Sequence, residues 1–228
     1  QQILDDMQHI ESKRTVSIFI MIFSFAILSS ANNSALLQKL DSVIEASETI
    51  VAEKNKKIAM LKQMAAKENN TALLLERYRE LSEEYYVFKF DSAKVYVEKG
   101  LALAKKVQNS RYIVTNTIMK AKLLSIGGLY SEAINTLNTI EQDSLGEQNM
   151  TFDYNIAYST IYSYWADYCN DDTYSPIYRE RSNAYLKTAI ANIDKNNTDY
   201  DYYMGEYYVY LDKNDDKALK HYLKKKKK

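Results

Sequence analysis

The chain has 228 residues, with 30 basic and 30 acidic side chains and a hydrophobic content of 46%, but only 5 glycines and 1 proline. Strands joined by tight turns need more of both, so an all-β fold is excluded and helix is expected throughout. Without residues 1–31 and the terminal run Lys224 to Lys228, 23 basic side chains remain against 27 acidic ones, and so mildly acidic a body has no general electrostatic reason to bind nucleic acid.

Lys13 and Arg14 precede an apolar stretch from Val16 to Leu28, which ends in Ser29-Ser30-Ala31. A charged segment, an apolar run and small residues in that order are the layout of a secretory signal. The run makes about 20 Å of helix, short of the ~30 Å hydrocarbon core. A cleaved signal rather than an anchor is therefore expected within residues 1–31, which directs the mature chain to the periplasm or cell envelope. Residues 1–11 carry three acidic groups and read as sequence upstream of a start at Met7. No cysteine lies near the end of the run, so lipid attachment is not expected there, and the single Cys169 reads as a small buried apolar residue.

Residues 32–68 read as a long leading helix. Leu37, Ile44, Val51, Ile58 and Ala65 recur every seven positions with Leu40 and Leu61 beside them, while Ser47 and Lys54 interrupt the seam. Such a helix caps the first repeat, or dimerises through its short seam. Asn69-Asn70 breaks the pattern. A helix over 71–88 follows, then one opened by Asp91 or Ser92, whose side-chain oxygens suit an N-cap. The next helix spans Arg111 to Ile126 and is ended by Gly127-Gly128, since glycine enters the left-handed cap without steric cost. Tyr130 to Gln142 packs back against it.

Asp153 to Tyr168 is apolar nearly all round and reads as buried between neighbours. Ser175-Pro176 starts, with a serine cap and a proline in its first turn, a helix running to about Asp194, and a last pair covers Asp199 to Leu211 and Asp215 onward. The run Lys224 to Lys228 follows an unfinished repeat and reads as the end of a truncated reading frame. Residues 69–223 thus form about four helix pairs.

Within these pairs one pattern recurs. Gly128-x-Tyr130-x-x-Ala133-x-x-x-Leu137 reads as the second helix of a tetratricopeptide-type hairpin. Ala93, Ser182 and Ala218 occupy the position of Ala133, at spacings of 40, 49 and 36 residues. With Ala189, seven residues after Ser182, these are the expected repeat-packing positions, where two helices approach too closely for a larger side chain.

No phosphate-cradling glycine loop, zinc-binding histidine pair or cysteine cluster occurs, and no catalytic, cofactor-binding or metal-ligating residue is assigned. Glu83-Glu84, Asp171-Asp172 and Asp215-Asp216 lack the spacing of a calcium loop and read as solvated helix ends. Fourteen of the 21 tyrosines lie between Tyr154 and Tyr210. Their i, i+4, i+8 order at Tyr154, Tyr158 and Tyr162 reads first as packing. An exposed row would instead suit a peptide or glycan, and Tyr200, Tyr203 and Tyr207 are the candidates for that role. Arg111, Asn116 and Lys120, on the first helix of a pair, are expected to face outward toward a partner.

Leu40-Asp41-Ser42-Val43-Ile44, Lys57-Ile58-Ala59-Met60-Leu61-Lys62, Phe90-Asp91-Ser92-Ala93 and Ile161-Tyr162-Ser163-Tyr164-Trp165-Ala166-Asp167-Tyr168 resemble a Bacteroidetes family of membrane-anchored tetratricopeptide proteins. The resemblance covers about residues 34 to 223. It implies one-chain sensors or transcription regulators with a signal sequence, a periplasmic helical-repeat domain, a transmembrane helix, a cytoplasmic coiled coil and a DNA-binding end. This chain would be the periplasmic repeat portion, because it carries no second apolar span and no helix-turn-helix segment. The expectation is an all-α, right-handed stack of helical hairpins behind a long leading helix. It would act without catalysis or cofactor, holding a protein, peptide or glycan on its concave side and no nucleic acid, with membrane attachment only in a full-length form and homodimerisation as the alternative role of the leading helix.

Overall fold

The computed structural model describes residues 2–147 and 150–227, with side chains described for 35–146 and 150–226. Among the described residues there are ten helices and no strand. They are α1 (Gln2–Lys67), α2 (Thr71–Tyr86), α3 (Phe90–Lys106), α4 (Ser110–Ile126), α5 (Tyr130–Leu137), α6 (Gln142–Glu147), α7 (Thr151–Cys169), α8 (Tyr174–Ala191), α9 (Tyr200–Tyr210) and α10 (Asp215–Lys227). The chain divides into two units, Gln1–Lys57 and Ile58–Lys228.

The first unit is helical. In its described part Leu37, Leu40, Ile44 and Val51 are all exposed, at 60%, 53%, 55% and 42%, so the upstream seam is uncovered by the chain itself. The side chains that carry the expected signal segment, residues 1–31, lie outside the described set. No helix among the described residues is long and apolar enough to cross a membrane.

The second unit is a tetratricopeptide-like series of antiparallel hairpins, α2/α3, α4/α5, α7/α8 and α9/α10. Ile58 and Leu61 of α1 are buried with Leu81, Tyr85, Ala93, Val97 and Leu123, so the end of that helix closes the first hairpin. Three of the helix starts, those of α2, α4 and α10, are capped by the same means. Asn70 and Asn109 accept hydrogen bonds from first-turn amides, Ala72 and Leu73 in one case and Tyr112 in the other. Asn214 likewise accepts from the Lys217 amide at 3.0 Å. Such caps satisfy donors that a helix start leaves orphaned.

The joints repeat too. Gln108 and Gly128 have φ of 55° and 78°, and the amide of the following residue closes back on a carbonyl five residues earlier, Asn109 to Ala104 and Leu129 to Leu124, both at 2.9 Å. This is a Schellman-type end with one left-handed residue. A third joint at Lys213 also has positive φ, 53°. Glycine stands at only one of the three positions, Gly128. That residue is exposed and a Cβ there would touch nothing within 4 Å, so its contribution is the turn and not packing.

The small residues lie where the helices meet. Ala93, Ala133 and Ala189 have no exposed surface, and Ala218 and Ser182 are 3% and 5% exposed. Ser182 also donates to the Ser159 carbonyl at 2.8 Å, tying α8 to α7 through a buried hydroxyl. Tyr130 is half-buried and stacks on Trp165, ring centroids 5.7 Å apart.

Three expectations are corrected. The helix expected over Tyr130 to Gln142 stops at Leu137, because Ile140, Leu145 and Met150 turn inward into the core formed with α4 and α7, and α6 fills this detour. Gln142 donates to the Tyr154 hydroxyl at 3.2 Å, Tyr154 donates to the Tyr158 hydroxyl at 3.3 Å, and Tyr158 donates to the Asn138 side chain, fastening the detour to α7. The insertion accounts for the long spacing from Ala133 to Ser182. The helix expected from Asp91 or Ser92 begins at Phe90 with Lys89 as its cap, because the Phe90 ring packs on the first core. Ser175 does not cap α8: its hydroxyl donates to the Ala166 carbonyl at 2.9 Å, and Asp171 accepts from the amides of Thr173 and Tyr174 instead.

Candidate functional site

The first helices of the four hairpins share one face, and a groove of about 620 Å³ runs along it, lined from α2, α4, α7 and α9. Helical spacing explains the α2 and α4 walls. Glu76, Arg79 and Glu83 lie three and four residues apart on α2, and Arg111, Thr115, Met119 and Lys122 do so on α4. Ile118, Met119, Met150 and Ile156 supply apolar floor.

The charges that α2 brings to the groove are paired with one another. Arg79 donates to both carboxylate oxygens of Glu76, at 2.6 and 3.0 Å, and also to Glu83. The Tyr112 hydroxyl donates to Glu76 at 2.8 Å, joining the first and second hairpins across 36 residues of sequence. The Arg79 guanidinium, with help from the Tyr112 hydroxyl, holds the Glu76 carboxyl down at about 2. Glu83, exposed in the last turn of α2, is therefore also part of an ion network.

The charges facing α2 are open. Among the described residues, Arg111, Lys122 and Asp153 have no ion-pair partner within contact distance. Burial pushes the Lys122 ammonium down, opposed by Asp153 and Glu83, while its Nζ lies 5.6 Å from the centroid of the Tyr86 ring. Asp153 reaches solvent, yet the protein around it excludes enough water to push its carboxyl up, against the pull of Lys122 and Arg111. Burial also raises the Tyr86 and Tyr203 phenols, each to about 12.

Ile156 and Tyr203 also line a second recess of about 190 Å³ between α7, α8 and α9. Its walls carry Thr160, Tyr164, Asn183, Tyr202 and Tyr210. Tyr203 packs edge-on against Phe152 at 5.1 Å, beside a small buried cluster of Ile156, Leu186 and Ala189 that seats the fourth hairpin.

Of the six residues expected to face a partner, the groove brings together Arg111 and Tyr203. Asn116 does not face outward. It is 2% exposed, donates to the Tyr112 carbonyl at 2.8 Å and faces Gly100 of α3, because its position on α4 falls on the side turned to the preceding hairpin. Lys120 is half-buried with Phe90, Val97 and Leu123 in a recess between α3 and α4, away from the groove. Tyr200 and Tyr207 are half-buried on α9 and line neither cavity, Tyr207 packing edge-on against Tyr208 at 5.4 Å. Glu76, Arg79, Lys122 and Asp153 were not legible as a site, since their meeting depends on how successive hairpins stack. The one usable signal was the i, i+3, i+7 order of charges on α2.

Residues 44–228 match the family described as the SusR N-terminal TPR domain. No curated protein and no solved structure matches the chain.

Proposed function

The chain belongs to the SusR N-terminal TPR domain family, and from that premise we propose that it is a non-catalytic scaffold which holds a protein, peptide or glycan in the groove of its first helices. A tetratricopeptide array is a surface for holding partners, each hairpin burying the face its neighbour leaves open. The observation that carries the reading is the set of open charges, Arg111, Lys122 and Asp153, around an apolar floor. Charged groups held without a contact ion pair in a partly desolvated cleft gain more from a partner than the same groups on a convex surface. In the resembling membrane-anchored regulators this portion is periplasmic. We extend the proposal accordingly: the chain is an exported sensor or interaction domain whose bound ligand biases hairpin packing, passed on through a membrane helix in a longer protein.

A photo-crosslinking residue placed at position 111 or 122 should capture a partner from the cell envelope, and one at position 120, outside the groove, should not. Equal capture at 111 and 120 would defeat the groove assignment.

The uncovered stripe of α1 favours a second role. Leu36, Val43 and Ile50 form a heptad row beside Leu37, Ile44 and Val51, all exposed, and apolar rows of this kind assemble with copies of themselves. In this reading the leading helix dimerises an envelope assembly protein. Sedimentation of residues 32–223 with and without Ile44→Asp tests it, since a seam dimer dissociates on introduction of the charge.

A further inference from the structure

The exposed stripe of α1 is wider than a two-stranded seam uses. Leu36, Val43 and Ile50 are 63%, 58% and 63% exposed, as open as the row of Leu37, Ile44 and Val51. At helical spacing the two rows lie roughly 100° apart, with Leu40 and Ser47 between them. Ser47 donates its hydroxyl to the Ile44 carbonyl of its own helix at 2.6 Å, so it brings no orphaned donor to that middle line. With Leu37 as heptad position a, Leu40 and Ser47 stand at d and the Leu36 row at g. In a two-stranded coil a and d face the partner, while g flanks the seam and carries charged residues. Here the g row is apolar from Leu36 to Ile50. A dimer through Leu37, Leu40, Ile44 and Val51 would cover about 100 Å² per side chain and roughly 800 Å² in all, short of the ~1,200 Å² of specific stable interfaces, and it would leave the second row in water.

We propose that α1 assembles three or more copies of the chain into a parallel ring, the Leu36 row of each copy packed against the Leu37 row of the next. The assignment rests on the reading that the leading helix joins copies of itself, and it sets their number and direction. Each helix then has two neighbours, one for each row, with Leu40 and Ser47 toward the axis. A row that meets a different row of the next copy makes a heterologous contact, which closes by rotation. Direction follows from the charges that flank the rows. Asp41 and Glu48 border the Leu37 row, whereas Lys39, Ala46 and Glu53 border the Leu36 row. In the parallel ring Lys39 falls at the level of Asp41 of the next copy, Ala46 at that of Glu48 and Glu53 at that of Asn55. That register gives one opposite-charge pair and no like-charge pair. An antiparallel pair would join the two Leu37 rows and set Asp41 of each chain against Glu48 of the other, a doubled repulsion.

The test is sedimentation equilibrium of the full chain, with the helical circular-dichroism signal of each variant as the check on folding. Every substituted side chain is exposed on α1, so the hairpins should stay intact in all variants. The expected mass is that of three or more chains. Val43→Lys combined with Ile50→Lys charges the Leu36 row alone and should lower that mass, whereas a seam dimer tolerates lysine at g. Asp41→Lys should weaken the assembly about two- to fivefold, because it brings a second cation beside Lys39 of the neighbour, and Lys39→Asp in the same chain should restore it. In an antiparallel pair Asp41→Lys would instead tighten association through Glu48. A mass of two chains would overturn the ring and leave the dimeric reading standing. A mass of one chain would remove both. A larger mass that survives the double lysine substitution, or an assembly that tightens with Asp41→Lys, would overturn the proposal as well.

Discussion

Gly205→Ala on α9 sets a helix-propensity gain against a steric loss whose size follows from the structure. A Cβ built at Gly205 would come within 2.7 Å of Tyr222 Cδ1 and Cζ on α10, and nearer still to Cε1. Carbon atoms in ordinary contact need about 3.5 Å or more, so the ring must retreat by roughly 0.8 Å at the least. That movement pulls on the Tyr222 hydroxyl, which donates to Glu206 at 2.6 Å and whose phenol is pushed up by burial and by that carboxylate. Overpacking of this kind costs about 1–3 kcal/mol, and loss of a hydrogen bond to a charged group about 1.5–3 kcal/mol. Alanine regains about 0.5–1 kcal/mol over glycine in a helix interior. The net expectation is destabilisation of the fourth hairpin by about 2 kcal/mol or more. Hydrogen exchange of α9 and α10 amides, followed by mass spectrometry, should then speed up well ahead of α4 and α7. In a Tyr222→Ala background the same Gly205→Ala change should stabilise by the propensity gain alone. Slower exchange in the single variant, or an equal effect in both backgrounds, would refute the close-approach argument.

Ala133→Leu, at a position with no exposed surface, should cost at least about 1–3 kcal/mol in urea unfolding by forcing α5 away from α4. Lys213→Gly should raise the melting temperature by relieving a left-handed residue at the last joint, a gain of up to about 1 kcal/mol. Glu76 is held at about 2 against an ordinary value of 4.5. Its contribution is therefore fully present above about pH 4.5 and disappears as pH falls through about 2. Glu76→Gln should be less stable than the parent at neutral pH and lose less between pH 4.5 and 2, measured by urea midpoints across that range.

Much of the fold was legible because its determinants are local. The small residues Ala93, Ala133, Ser182 and Ala218 mark the second helix of each hairpin directly, since close approach demands them whatever the partner helix is. Asn70 and Gly127-Gly128 likewise mark helix boundaries through backbone chemistry within a few residues. The detour through α6 was not legible, because Leu145 and Met150 look like a continuing apolar pattern until α7 is in place to receive them. Asn116 misled for a related reason: a polar side chain on a first helix suggests a contact surface, yet the glycine at Gly100 makes room for it inside. The groove was least legible of all. Glu76 and Tyr112 meet only after two hairpins have stacked, and no periodicity within either helix specifies that meeting.

The stacking of Trp165 gives this molecule a built-in optical gauge. It is the single tryptophan beside 21 tyrosines, and its indole lies 4.2 Å from the Tyr178 ring and 5.7 Å from the Tyr130 ring, centroid to centroid. Light absorbed by those phenols drains to one emitter, so parting of the helices that carry them would unmask tyrosine emission. Repeat separation could then be followed in real time with no dye attached.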